Sequence, residues 1–193
     1  MKLFYDCEFL EDGRTIELIS IGMVAEDGRE LYAVNEGIEQ DPLYSRIRKH
    51  QWLMENVVPH LPLSTGSTGS QKGHGRLTTS SSYCGFFNLD TASNIVMPRR
   101  MIRNAVRNFI QATPDPELWA WYAAYDHVAL CQLWGPMAHL PKGVPMFTCD
   151  LKQEAIRLGN PEMPKQAEGE HNALADARHN RVMSEFLDSI AST

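Results

Sequence analysis

The sequence has no CxxC pair and no Cys/His cluster at zinc spacing, which excludes the common structural zinc sites. Its four cysteines, Cys7, Cys84, Cys131 and Cys149, stand far apart. Reduced, unpaired thiols are therefore expected. No apolar run approaches the length needed to cross a bilayer, so no membrane role is expected. The N-terminus reaches Asp6 too early for a signal peptide. These readings together suggest a cytoplasmic protein. Positive charge is also in short supply: 18 Lys and Arg against 24 Asp and Glu leave a net charge of −6. That excludes a protein held on nucleic acid by charge alone. It does not exclude chemistry built on clustered carboxylates, because bound cations reverse the local field.

The 193 residues suit one domain, 1–193, with a hydrophobic fraction of 43% and a charged fraction of 22%. The first third reads as antiparallel strands. Leu3–Leu10, Thr15–Ala25 and Glu30–Val34 are joined by two Glu-Asp-Gly-Arg turns, and Asp-Gly favours hairpins. Asp41–Val58 turns helical, with Pro42 at its start. Composition then shifts. Ser64–Ser82 is dominated by Ser, Thr and Gly, so a flexible insertion over 64–85 is expected. Helices follow at Pro98–Gln111, Asp126–Trp134, Leu151–Leu158 and Asn172–Ile190. Strands are expected at Leu118–Ala123 and Pro145–Asp150. A meander followed by alternating helices and strands predicts an α/β fold, a mixed β-sheet flanked by helices.

Asp6 and Glu8 are two apart on the first strand, so both point to one face while Cys7 points to the other. Two adjacent carboxylates repel unless one is protonated or a cation lies between them. Apolar neighbours Leu3, Phe4, Phe9 and Leu10 place them near the core, where acids need a partner. A divalent cation with oxygen ligands is one such partner; an exposed pair of strand acids is the alternative. Asp126 falls where a strand hands over to a helix. It either caps that helix or belongs to a site. Asp176 lies in the first turn of the last helix, a position the helix dipole favours in any case. His171 precedes it by five residues.

In this order, Asp6-x-Glu8, Tyr125-Asp126, and His171 with Asp176 resemble the DEDDh 3′–5′ exonucleases of the RNase H-like superfamily. Three stretches carry the likeness further: FYDCEFLEDGRTIELISIGMVAEDGRE, ELWAWYAAYDHVALCQLWGPM and HNALADAR. The resemblance is strongest to the polyadenylate-directed exoribonuclease branch, RNase AS. Related branches carry Asn shortly before the second-motif Asp, where this chain has Trp121 and Tyr122. So long a polar insert as Ser64–Ser82 is not expected in that family. Its Lys72, His74 and Arg76 leave open a loose contact with RNA.

The resemblance implies an RNase H-like fold and hydrolysis assisted by two Mg²⁺ ions, with Mn²⁺ as a substitute. Asp6, Glu8, Asp126 and Asp176 would be the metal ligands, with Asp6 shared between the ions. His171 would take a proton from the attacking water, a role that suits imidazole. The substrate would be single-stranded RNA 3′ ends, poly(A) among them, and the products nucleoside 5′-monophosphates. The resemblance also implies a homodimer. Phe9, next to Glu8, is either a core side chain or a substrate-binding platform for the terminal base. Trp119, Trp121 and Trp134 read as core or interface. Arg99, Arg103 and Arg107 form a stripe that is either solvated or tracks phosphates. Single-stranded DNA ends, or a binding module without catalysis, remain the competing functions.

Overall fold

Each Glu-Asp-Gly-Arg turn is closed by its own aspartate. Asp12 accepts the backbone N–H groups of Arg14 and Thr15 at 3.0 and 2.8 Å, and Asp27 accepts that of Arg29 at 3.1 Å. Gly13 and Gly28 take φ of +79° and +91°, which a side chain resists. These turns connect β1 (Lys2–Glu11), β2 (Ile16–Ala25) and β3 (Glu30–Asn35) into an antiparallel meander. The computed structural model describes residues 1–65, 69–72 and 83–192. Beyond the meander lie α1 (Leu43–Ile47), α2 (Gln51–Asn56), β4 (Gly69–Lys72), β5 (Tyr83–Phe86), β6 (Val96–Met97) and α3 (Arg99–Gln111). The chain continues through β7 (Glu117–Ala120), α4 (Ala124–Cys131), β8 (Cys149–Asp150), α5 (Leu151–Arg157) and α6 (Ala173–Ala191).

The main sheet has six strands in the order β6-β3-β2-β1-β7-β8. The meander is antiparallel, while β7 on β1, β8 on β7 and β6 on β3 are parallel. This is the mixed, helix-flanked α/β sheet expected from the sequence, consistent with an RNase H-like fold. α3 and α4 cover one face, where Ile102, Val106, Ile110 and Leu130 pack on Leu3, Tyr5 and Cys7. Each fully buried aliphatic side chain contributes roughly 1.5–3 kcal/mol. α6 lies on β1 and β2, and its Met183 and Leu187 pack with Leu151 and Ala155 of α5. α1 and α2 close a third cluster with Ile19, Val34 and Phe87.

A bulge interrupts the β1–β2 register. Glu8 pairs with Ser20 but Phe9 pairs with Leu18, leaving Ile19 as the extra residue. Ile16 and Leu18 therefore share a core cluster with Ile21 and Met23, while Ile19 joins another. One inserted residue has switched the inward parity of β2.

The helix expected over Asp41–Val58 is two short helices. His50 is extended between them, and its Nδ1 accepts the Leu53 N–H at 3.3 Å, starting a new helix. The strand expected over Leu118–Ala123 stops at Ala120, because Tyr122 turns the chain with φ of +53°. The strand expected over Pro145–Asp150 keeps only its last two residues. Of the Ser64–Ser82 insertion, residues 66–68 and 73–82, including His74 and Arg76, lie outside the described residues. At its margins β4 and β5 pair antiparallel, two strands that the composition did not announce. Among the described residues no helix is long and apolar enough to cross a membrane.

Candidate active site

The site forms where β1 outruns its neighbour. β7 pairs with β1 only as far as Phe4, opposite Trp119. Further along, the edge of β1 lacks a strand partner on that side. The chain leaving β7 turns into α4 and supplies the missing acceptor. Asp126 Oδ1 accepts the Cys7 N–H at 2.8 Å. Asp150 Oδ2 in turn accepts the Ala123 N–H at 3.1 Å, fixing the start of α4. Asp126 is thus no helix cap. Its carboxylate is bound to the strand that carries Asp6 and Glu8.

Asp176 arrives from the other side, in the first turn of α6. Gly22, paired with Asp6 across the sheet, makes that approach possible. A Cβ at Gly22 would lie 2.3 Å from backbone atoms of Ala173 and Leu174. Asn172 caps α6 by accepting the Ala175 N–H at 3.1 Å, and it donates to Tyr32 Oη and the His60 carbonyl, both at 3.3 Å. Gln166 Nε2 donates to Asp176 Oδ1 at 2.7 Å, and the His171 N–H donates to Oδ2 at 2.9 Å. His171 sits at φ of +66°, an unusual value for a histidine, which turns its amide back onto Asp176. Its ring meets Trp52 of α2 edge-on, with centroids 4.8 Å apart.

Ligand atoms of Glu8, His171 and Asp176 all lie within 4.8 Å of one another. Asp6 lines the same cavity as His171 and Asp176. Asp126 is felt by both strand acids through its charge. Phe9 stays on the opposite side of β1, packed against the core cluster that holds Tyr5 and Cys7. Its ring centroid is 6.1 Å from that of Tyr125. The structure therefore brings Glu8, His171 and Asp176 within reach of one another, sets Asp6 on the cavity that His171 and Asp176 line, ties Asp126 to the strand that carries both acids, and leaves Phe9 on the other side of β1.

Electrostatically the site is unbalanced. Glu8 is 8% exposed and Asp126 7%. Asp6 keeps a little solvent contact on the cavity wall, yet the protein surrounds it. Burial raises the Asp6 pKa well above the carboxylate range, and the charges of Asp126, Glu8 and Asp176 push the same way. Burial and then the charges of Asp176 and Asp126 push Glu8 up to about 8. Burial pushes Asp126 to about 7 against the opposing hydrogen bond from Cys7. Burial also raises Asp176, in spite of Gln166 and the His171 amide. Everything that shifts Asp6 and Glu8 shifts them upward. Such a set is relieved by protons or by a hard cation. Carboxylate oxygens with one imidazole nitrogen among them are donors for a divalent cation, so the residues present fit divalent metal.

Two curated proteins of Mycobacterium tuberculosis, each named 3′–5′ exoribonuclease, come from strains CDC 1551 / Oshkosh and ATCC 25618 / H37Rv. Both are 45% identical to this chain over 180 residues, covering 92% of it and 88% of their own length. The chain belongs to the 3′–5′ exoribonuclease family. No protein-family model matches it.

In this exoribonuclease-family chain two residues that carry no signal in the sequence, Trp52 and Gln166, touch the site, and a third, Trp121, has a second role there. Trp52, read only as part of a helix, touches His171. Gln166, in a polar loop without periodicity, holds Asp176. Trp121 shares a core cluster edge, as expected, and also lines the cavity that contains Asp6. Nothing in the sequence around Trp52 or Gln166 signals these contacts, which arise between segments distant in the chain. Of the arginine stripe, Arg103 is exposed, while Arg99 donates to the Gln132 carbonyl at 2.9 Å and Arg107 to Asn108 at 3.2 Å.

Proposed function

We propose that this chain is a Mg²⁺-dependent 3′–5′ exoribonuclease that removes nucleoside 5′-monophosphates from single-stranded RNA. The observation that carries this is the convergence of four carboxylates whose shifts no neighbouring positive charge offsets at Asp6 or Glu8. Asp6, Glu8, Asp126 and Asp176 would hold two divalent cations. When bound, such cations stabilise charge on the attacking and leaving oxygens of the phosphodiester. His171 accepts the proton of the attacking water, held in reach by the hydrogen bond that its backbone N–H donates to Asp176 and by its contact with Trp52. The Cys7–Asp126 hydrogen bond keeps the acid of α4 in register with those of β1.

The name carried by the two relatives supports RNA as substrate. The likeness of three sequence stretches to RNase AS supports a preference for poly(A). A homodimer is the assembly we propose, supported by exposed Tyr122, Tyr125, Met146 and Phe147 around the start of α4 and the loop before β8.

Digestion of a 5′-end-labelled oligoadenylate tests the reading. With Mg²⁺ the label should pass into a ladder shortened one nucleotide at a time, and EDTA should stop it. Asp6→Ala should lower the rate by at least about 100-fold, as expected when a preorganised charge site is broken. Parallel digestion of oligouridylate, oligocytidylate and matched DNA reads base and sugar preference. Undiminished activity in Asp6→Ala would remove the proposal.

A further inference from the structure

A cavity of about 560 Å³ is lined by Asp6, His171 and Asp176 and by later residues of α6, and Phe9 and Trp52 are not among its lining residues. Its wall combines Asp6, His171 and Asp176 with Trp121, Met163 and Met183, three residues of one apolar cluster. The walls are built. The His179 ring bonds the Pro164 carbonyl at 3.1 Å, and Gln166 bonds Asp176 at 2.7 Å, so two ties hold the loop between α5 and α6 against α6. The Trp121 ring is held as well, edge-on to Tyr122 at 5.4 Å and under Lys152 Nζ at 5.6 Å from its centroid. Lys165 is exposed and is the one lysine or arginine among the described lining residues.

We infer that this cavity binds one nucleotide unit of the substrate strand adjoining the bond that is cut. The base lies against Trp121 and Met163, and Lys165 meets a phosphate of the same strand. The inference rests on the exoribonuclease reading for the identity of its ligand. Its own basis is the juxtaposition of phosphodiester-handling residues with aromatic and sulfur-containing ones. The volume falls within the usual range for ligand pockets. A fixed indole accepts any base by stacking, and a thioether beside it adds a polarisable surface. Met183 is anchored in the α5–α6 core.

The test compares oligoadenylate with bis(p-nitrophenyl) phosphate, a diester that carries no base. Trp121→Leu should lower the ratio of the two kcat/KM values by about 5- to 150-fold, the range for losing one stacked base. Trp134→Phe, in the other core cluster, should leave that ratio where it is. Binding of fluorescein-labelled oligoadenylate in Ca²⁺, read by anisotropy, follows the cavity without requiring cleavage. There Lys165→Ala should flatten the dependence of log affinity on log salt by about 0.7, one contact's share for a single strand. This second measurement stands alone if Trp121→Leu does not fold. A folded Trp121→Leu with an unchanged ratio overturns the inference, and so does an unchanged salt slope in Lys165→Ala. Lysine-dependent binding without any hydrolysis would instead sink the nuclease reading and leave the cavity assignment standing.

Discussion

The acids of this site are costly to the folded chain without a cation, and the cost has a definite pH signature. Glu8, ordinarily near 4.5, is pushed to about 8, and Asp126, ordinarily near 3.8, to about 7. An acid with a raised folded-state pKa binds its proton more tightly folded than unfolded. Its stabilising contribution is present below the unfolded value and is lost as pH rises through the folded value. The metal-free protein should therefore melt at lower temperature as pH climbs from about 4.5 to about 8. Each kcal/mol lost corresponds to roughly 2–4 °C in a chain of this size. Mg²⁺ should raise the melting temperature more at the upper end than at the lower, because a cation replaces the missing protons. Asp6→Asn, which removes one of the mutually repelling charges, should flatten the metal-free profile. Calorimetry across pH, with and without Mg²⁺, checks all three. A metal-free melting temperature that rises through this window would show that the acids do not repel as their burial requires.

Among the elements, α6 brings the most to the site and depends on a missing side chain. Its first turn rests on Gly22, where a Cβ would fall 2.3 Å from helix backbone. Gly22→Ala should push the start of α6 off the sheet and carry Asp176 and His171 with it. Overpacking of this kind costs about 1–3 kcal/mol, and a displacement near 1 Å at reacting groups costs about 100-fold in rate. The expected result is a melting temperature lowered by several degrees and kcat reduced by about two orders of magnitude. Unchanged kcat in Gly22→Ala would mean that the helix start is not seated there. Asp126 makes the complementary point. Its place in the first turn of α4 suggested a cap, yet the carboxylate reaches the Cys7 N–H that β7 leaves unpaired. The split of Asp41–Val58 into α1 and α2 matters in the same way, since it aims Trp52 at His171.

At the scale of the whole molecule, exposed aromatic and methionine side chains lie around α4: Tyr122, Tyr125, Met146 and Phe147 are each more than half exposed. Clusters of this kind mark contact surfaces. Sedimentation velocity should give twice the chain mass, and Phe147→Asp with Met146→Asp should shift it toward one chain; a wild-type protein that sediments as a single chain would dismiss the homodimer. The sequence by itself carried the meander, through its Asp-Gly turns and the apolar strand runs between them, and it carried the order Asp6, Glu8, Asp126, His171, Asp176. Both are local properties: turn geometry depends on adjacent residues, and a motif is a matter of residue identity and order. Only the tertiary structure decided which atoms face the acids. Gly22 as the seat of α6, Gln166 on Asp176, Trp52 on His171, and the parity switch at Ile19 all arise between segments far apart in the chain. No periodicity or composition records them, because each is the outcome of packing. The same holds for Asp6 and Glu8. Two residues apart they are an ordinary strand pair, and they become a metal-binding candidate once burial and two further carboxylates raise the cost of their charge.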